Sequence, residues 1–401
     1  MKKENQINSF QELIECLKFV DDPRVVKRSK HLLIDILVIS ICAILCGAEG
    51  VFDIEEFALE KEIWFRKFLL LPSGIPSHDT IARVLSLVDP ASLEIAFHEW
   101  IEHILGSERL RSISLDGKTT KGTERNFSRS NDGLHMVSAY SHELGLTLME
   151  IESEGRGAGE SSAAMDCIHS MDLDGVMVLA DAGLASKRIT KKIREKNGDY
   201  VVPIKGNQRF YLQELEAYFL TDGESQKIAY DSNKGHGRSE ERVCWLLAAQ
   251  GLSDKFKSQW LDAKVVFRIE RKRTDKDKRC FIQKIDSEGS RIYKKNDQDF
   301  RVSQEVTYYV SSRRLTAQEA LTEVRKHWGI ENQLHWVLDV AFGEDDWRVR
   351  SKRLARTLSL MRKIAFNIIK RSKTKGSIRI RIKKAGWNNK FLEQLLFGRE
   401  F

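Results

Sequence analysis

The amino-acid sequence predicts an α/β protein: a mixed sheet flanked by helices, preceded by a helical N-terminal region and joined to a second, β-rich stretch. Three observations predict it. Apolar residues recur at helical spacing from residue 9 to about 105. From Arg111 onward, short alternating or wholly apolar runs exchange with helical ones in the order β-β-β-α-β-α-β-α. Beyond about residue 220 the texture is polar and strand-like, until two helical runs follow from Ala317. A chain of 401 residues is long enough for two or three domains and a sizeable core.

In the N-terminal region, Ser9–Phe19 and Ile54–Leu70 carry the helical pattern. Leu32–Cys46 is the most apolar run, but it is shorter than a membrane span and contains Asp35, so it predicts a buried helix. Pro72, Gly74 and Pro76 interrupt the pattern, Ser77 caps a helix over His78–Val88, and Ala91–Leu105 forms another after Asp89-Pro90. The helix-break-helix around Pro76 suits a helix-turn-helix or a plain bundle equally, since its second helix carries a single arginine, Arg83.

The α/β region opens with a strand, Arg111–Leu115, ending at Asp116. Strands Leu134–Tyr140 and Leu146–Glu152 follow, joined by the turn His142–Gly145. A helix over Glu160–Met171 leads to the apolar strand Val176–Ala180, which ends at Asp181. A helix from Ser186 to Lys196, a strand Tyr200–Ile204 and a helix Phe210–Phe219 come next. Strands are then expected at Arg242–Ala248, Lys264–Glu270, Arg279–Ile285 and Val306–Ser311, and helices at Ala317–Leu338 and Ser351–Lys370. Ile378, Ile380 and Ile382 alternate with Arg379, Arg381 and Lys383, which predicts a short strand or extended arm with one face on DNA. These changes of texture place boundaries at 1–107, 108–205, 206–314, 315–371 and 372–401, the first a helical and DNA-binding stretch, the last a basic tail.

Charge narrows the function. The net charge is +8, yet residues 348–390 hold 16 Lys and Arg and no acid, so the remainder is acidic. Such a block predicts a polyanionic partner, nucleic acid first, against the plainer reading of a solvated helix face. The six cysteines include no CxxC pair, and Cys42 and Cys46 share one apolar helix, which argues against zinc and disulfides. The polar start MKKENQINSF has no signal core, and the protein is expected to be cytoplasmic, with no membrane partner. Gly117-Lys118-Thr119 is no P-loop, because Ser112 stands where that motif needs glycine. Gly155, Gly157 and Gly159 do not link a strand to a helix, so no nucleotide cofactor is implied.

An acid at the end of a strand presents its carboxylate at a sheet edge. If the strands ending at Asp116 and Asp181 are neighbours, their carboxylates converge, and such oxygens favour Mg²⁺ or Mn²⁺. Two ions about 3.5–4 Å apart activate a nucleophile and stabilise a leaving oxygen. A third acid must come from a helix, and Glu331, within His327-Trp328-Gly329-Ile330-Glu331-Asn332-Gln333-Leu334-His335-Trp336, is the choice. His335 and Asp339 follow on the same helix face; His335 suits orienting Glu331 or meeting a phosphate, and Asp339 is a rival third acid. Either aspartate taken alone is more readily a structural cap.

The chain resembles the DDE transposases of bacterial insertion sequences, most of all the H-repeat-associated group. The resemblance runs through Asp53-Ile54-Glu55-Glu56-Phe57, Gly74-Ile75-Pro76-Ser77-His78-Asp79-Thr80, Leu115-Asp116-Gly117-Lys118 and His135-Met136-Val137-Ser138-Ala139-Tyr140. It continues in Ala180-Asp181-Ala182-Gly183, Ile204-Lys205-Gly206-Asn207-Gln208, His327–Asn332 and Leu338-Asp339-Val340-Ala341-Phe342-Gly343-Glu344-Asp345. It implies an RNase H-like (retroviral-integrase-like) core, with Asp116, Asp181 and Glu331 as the catalytic, metal-holding triad and Mg²⁺ or Mn²⁺, as two ions, as the cofactor. It further implies that the β-rich stretch before Glu331 is an insertion domain and that the protein works as a homodimer on transposon ends and target DNA. The implied activity is DNA cleavage and strand transfer, in a bacterium, with the protein on the nucleoid when DNA-bound. The alternatives are a silent DNA-binding relic of an insertion sequence and a nuclease that never joins its products.

The Tyr-Arg-Glu-Lys signature of many relatives is absent: Val324, His327 and Leu338 stand at the Tyr, Arg and Lys places. The excision route is therefore open, and phosphate contacts must come from elsewhere. Candidates are Lys118, Lys205, Asn207, Gln208, His327, His335, Arg325, Lys326, Arg348, Lys352, Arg356, Arg379 and Arg381. His135 is expected to be structural, Trp245 to be a core residue, and Trp328 and Trp336 to pack their helix on the sheet.

Overall fold

The computed structural model describes residues 9–25, 29–106, 108–123, 133–155, 157–221, 227–235, 238–276, 292–295, 298–349, 351–372 and 374–398. In chain order, six helices come first: α1 (Ser9–Leu17), α2 (Leu33–Leu45), α3 (Val51–Glu60), α4 (Glu62–Phe65), α5 (His78–Leu87) and α6 (Pro90–Leu105). They are followed by β1 (Ser112–Thr120), β2 (Leu134–Ser141), β3 (Leu146–Ser153), α7 (Ala158–Ser170), β4 (Met177–Ala180), α8 (Lys187–Glu195), β5 (Asp199–Ile204) and α9 (Arg209–Thr221). Next come β6 (Lys227–Gly235), β7 (Arg238–Ala248), α10 (Asp254–Gln259), β8 (Val265–Lys276), β9 (Ile292–Lys295) and β10 (Gln298–Ser311). The chain continues through α11 (Ala317–Ile330), a π turn (Glu331–His335), α12 (Trp336–Phe342), α13 (Lys352–Arg371), α14 (Ile378–Trp387) and α15 (Asn389–Phe397). The chain forms two compact units, residues 1–171 with 329–401, and residues 172–328.

In the first unit, β1 pairs antiparallel with β2, setting Asp116 opposite Ser138, and β2 pairs antiparallel with β3. Helix α13 is the hub: it packs on α2, α5, α6 and β3, and its residues from Thr357 to Ile369 are buried. An N-cap starts it, the Ser351 Oγ accepting from the Leu354 N–H. Two strings from the N-terminal region meet here. Glu55 on α3 takes both the backbone N–H of His78 (2.9 Å) and its Nδ1 (2.5 Å), while Phe52 stacks on the same imidazole at 3.9 Å. Helix α5 buries Ile81, Val84 and Leu85 against its neighbours, so the break at Pro76 sits in a helical bundle.

The second unit carries a mixed sheet. β4 and β5 are parallel, with Val178 opposite Tyr200; β5 then pairs antiparallel with β10, and β10, β8, β7 and β6 continue antiparallel. Its core includes Met177, Leu179, Val201, Phe267, Tyr309 and Leu321, with Phe267 stacked on Tyr309 at 5.0 Å. The mixed α/β fold class and the strand and helix order from residue 112 to 221 are therefore as the sequence predicts. Among the described residues, no helix is long and apolar enough to cross a membrane.

Several expectations need correction. Residues 378–387 are helical and not extended, because Ser377 caps them and Ile378, Ile382 and Ala385 fall at the i, i+4, i+7 spacing of one face. The alternation of Ile with basic residues reads both ways, and burial of Ile382 and Ala385 decides it. The helix predicted from Ala317 to Leu338 is broken by the π turn. Strands β6 and β9 and helices α10 and α15 were not expected, so residues 374–398 are two helices and not a tail, and the strand predicted at 279–285 lies outside the described residues.

Candidate active site

Asp116 stands in the middle of β1, not at its end, because β1 pairs with β2 as far as Thr120. Asp, Gly and Lys are weak strand formers, so the pattern hides this; ladder pairing overrides propensity. The Gly117 N–H donates to Asp116 Oδ1 at 3.0 Å, and Asp116 Oδ2 lies 3.3 Å from Nε2 of His335. Gly117 is confined as well: a Cβ there would fall 1.8 Å from Oε1 of Glu160 and 2.9 Å from Nε2 of His135. His135 Nδ1 is bonded to Thr119 Oγ1 at 2.7 Å.

His335 and Glu331 are the last and first residues of the π turn. Glu331 is exposed and His335 is buried, so the turn offers a carboxylate to solvent four residues from an imidazole that faces β1. The turn also reorients α12. Trp336 is 58% exposed and does not pack its helix on the sheet as expected; an i→i+5 turn rotates the next residues relative to an uninterrupted α-helix. In the second unit, Trp328 is exposed under the guanidinium of Arg271 at 3.8 Å, and Trp245 is half-buried under Arg268 at 4.3 Å. Cys244 and Leu246 take the inward positions of that strand instead of Trp245.

Asp181 follows β4 directly. Its Oδ1 accepts from the Leu184 N–H (2.9 Å) and its carbonyl from the Ala185 N–H (3.1 Å), which tightens the turn into α8. Asn207 and Gln208, expected to meet phosphate, brace this turn through the carbonyls of Ala182 and Ala185. Lys205 beside them is exposed.

Lys118, two residues beyond Asp116, donates to Asp339 and, at 2.8 Å, to Glu344. Glu344 is fully buried and also accepts from Lys363 (2.8 Å) and Ser359 (3.1 Å). Burial drives its pKa up, but Lys363, Lys118 and Arg362 together outweigh burial and hold the carboxyl well below the ordinary value. Lys363 reaches Glu150 as well, at 2.6 Å. Burial and the nearby Glu344 charge push Glu150 up, against Lys363. This chain of charges ties the helix after Glu331 to the strand of Asp116.

The basic block divides in two. Arg356 is held bidentately by Glu94 (2.8 Å twice) and by Glu152 (2.9 Å). Arg381 is buried and donates to the carbonyls of Ile369 (2.7 Å) and Ser372 (3.2 Å), closing the end of α13. Lys118, Arg356 and Arg381, expected to face DNA, are thus each engaged by groups of the chain itself. Arg348, Lys352, Arg379, Lys383 and Lys384 are exposed, and His327 is half-buried.

Among the described residues, no three His, Cys, Asp or Glu side chains are gathered tightly enough to enclose an ion. The donors nonetheless suit one: Asp116 offers a carboxylate oxygen toward a buried imidazole that has no hydrogen bond.

Asp116 lies on a strand and faces a buried histidine of the turn that carries Glu331, within a protein of mixed α/β class. Comparison with known proteins makes the class specific. The profile described as Transposase DDE domain matches residues 109–368, and one described as DDE_Tnp_1-associated matches residues 14–101. The H repeat-associated transposase candidate YhhI of Escherichia coli (strain K12) is 31% identical over 97% of this chain and 98% of its own length. The transposase candidate YncI of Escherichia coli O157:H7 is 31% identical over 97% of this chain and 95% of its own. A solved piggyBac transposase synaptic complex with hairpin DNA overlays with a TM-score of 0.42 at 8% identity, over 97% of this chain and 80% of that one. The chain belongs to the DDE transposase family.

Proposed function

We propose that the protein cuts DNA at transposon ends and joins the freed ends to target DNA, with Asp116, Asp181 and Glu331 as the carboxylates that hold divalent metal. The observation that carries this reading is the facing of Asp116 and His335 across 3.3 Å, with Glu331 on the same turn of helix. Asp181 joins them on its place just past β4 within the matched family segment. When bound, Mg²⁺ or Mn²⁺ ions neutralise charge on the scissile phosphate and acidify the attacking hydroxyl. The chain itself supplies positioning. Backbone N–H groups of Gly117 and Leu184 each fix one oxygen of Asp116 and Asp181, so neither carboxylate rotates away during in-line displacement. Lys205, Arg348, Lys352, Arg379, Lys383 and Lys384 contact backbone phosphates. The protein acts as a homodimer in the bacterial cytoplasm.

The test incubates purified protein and Mn²⁺ with DNA carrying the element ends, and reads the strands on a denaturing gel. Cut and joined strands are expected. Asp116→Asn, Asp181→Asn and Glu331→Gln should each abolish both products while DNA binding persists. Full cleavage by any one variant removes that residue from the triad, and cutting without joining leaves a nuclease.

A further inference from the structure

We infer that His335 is a nitrogen ligand of the divalent cation at Asp116, so that the metal site is not built of oxygens alone. The inference rests on the triad reading above and adds a ligand to it. His335 is 4% exposed, and neither of its ring nitrogens makes a hydrogen bond among the described residues. A buried imidazole without partners is unfavourable, and such groups in native proteins mark a missing partner. What it faces identifies that partner. Nε2 stands 3.3 Å from Asp116 Oδ2, whereas the other oxygen of that carboxylate is occupied by the Gly117 N–H.

Two adjacent ligands of an octahedral ion, each about 2.1 Å from it, stand about 3.0 Å apart. The spacing of Nε2 and Oδ2 is therefore close to that of neighbours in one coordination sphere. His135 offers a contrast. Its Nε2 likewise meets a carboxylate, that of Glu160, at 3.3 Å without a hydrogen bond, but Thr119 Oγ1 anchors its Nδ1. His335 has no such anchor. The π turn carries both Glu331 and His335, and such turns recur at functional sites. A nitrogen donor also shifts metal preference away from Mg²⁺ and toward Mn²⁺ or Co²⁺.

The experiment uses full-length protein and Mn²⁺. A room-temperature EPR titration counts bound ions, and pulsed EPR of the bound ion looks for coupling to nitrogen. The expected result is a nitrogen coupling that changes when the protein is grown with ¹⁵N-histidine, and that vanishes in His335→Asn. The variant should also bind Mn²⁺ about 10-fold or more weakly. Labelling tests the intact protein, so the outcome holds even if the variant folds poorly. Bound Mn²⁺ that needs Asp116 but shows no histidine coupling overturns the inference and leaves the triad standing. Binding that is unchanged in Asp116→Asn overturns the triad reading, and this inference with it.

Discussion

At the scale of single residues, the buried charges around Glu344 decide more than the exposed ones. Glu344 faces Lys118 and Lys363, with Arg362 nearby, and is fully buried. Replacing it by glutamine would leave buried cations under-compensated, and a loss of about 3–5 kcal/mol is expected. Urea unfolding of Glu344→Gln measures it; a loss under about 1 kcal/mol would show the cluster to be dispensable. The sign of the pH effect comes from the depressed pKa. Its contribution is present above the ordinary glutamate value of 4.5 and drains away as pH falls toward the lower folded value. The acid limb of the stability profile should therefore be steeper in the parent protein than in Glu344→Gln, read as unfolding midpoint against pH. None of this was legible in the sequence. The three acids proposed for the site stand in short strings that resemble the family, but the partners of Glu344 lie as far off as Lys118, 226 positions away. The same distance hid the engagement of Lys118, which looked like a phosphate ligand because its neighbour in sequence is Asp116.

At the scale of elements, close backbone approach and capping set the limits. Just after β1, Gly122 lies so near the loop beyond α12 that a Cβ would fall 2.4 Å from the carbonyl of Trp347. That obstacle is backbone and cannot rotate aside, so Gly122→Ala should cost about 1–3 kcal/mol, read from a thermal melt. An unchanged melt would mean that this loop yields freely. Regular helices and strands were legible where one periodicity prevailed, as in α2 and β4. Two elements were not. The π turn leaves no trace in periodicity, since one unusual turn leaves the apolar spacing of α11 and α12 individually intact. The segment that became α14 satisfies both a strand and a helix pattern, and only the buried face shared by Ile382 and Ala385 separates them.

At the scale of the whole molecule, the distribution of charge separates folding from binding. The run of 16 basic residues looks uniform in sequence, yet Arg356, Arg362, Lys363 and Arg381 point inward. DNA affinity should fall with salt by a slope of roughly 0.9 per neutralised phosphate. Replacing Arg379, Lys383 and Lys384 together by alanine should reduce that slope by up to about three times this amount. Arg381→Ala should lower the melting temperature and leave the slope alone. Fluorescence anisotropy across a salt series, beside melts, checks both; an altered slope for Arg381→Ala would return that residue to the DNA-facing set.

The first unit is stitched from distant parts of the chain. Phe10 of α1 packs on Phe397 of α15, the indole N–H of Trp64 donates to Glu393, and Lys61 reaches Asn389. Helices made first on the ribosome must therefore wait, with apolar faces uncovered, until the last helix emerges. A chain that stops upstream of α15 would leave those faces uncovered and open to aggregation.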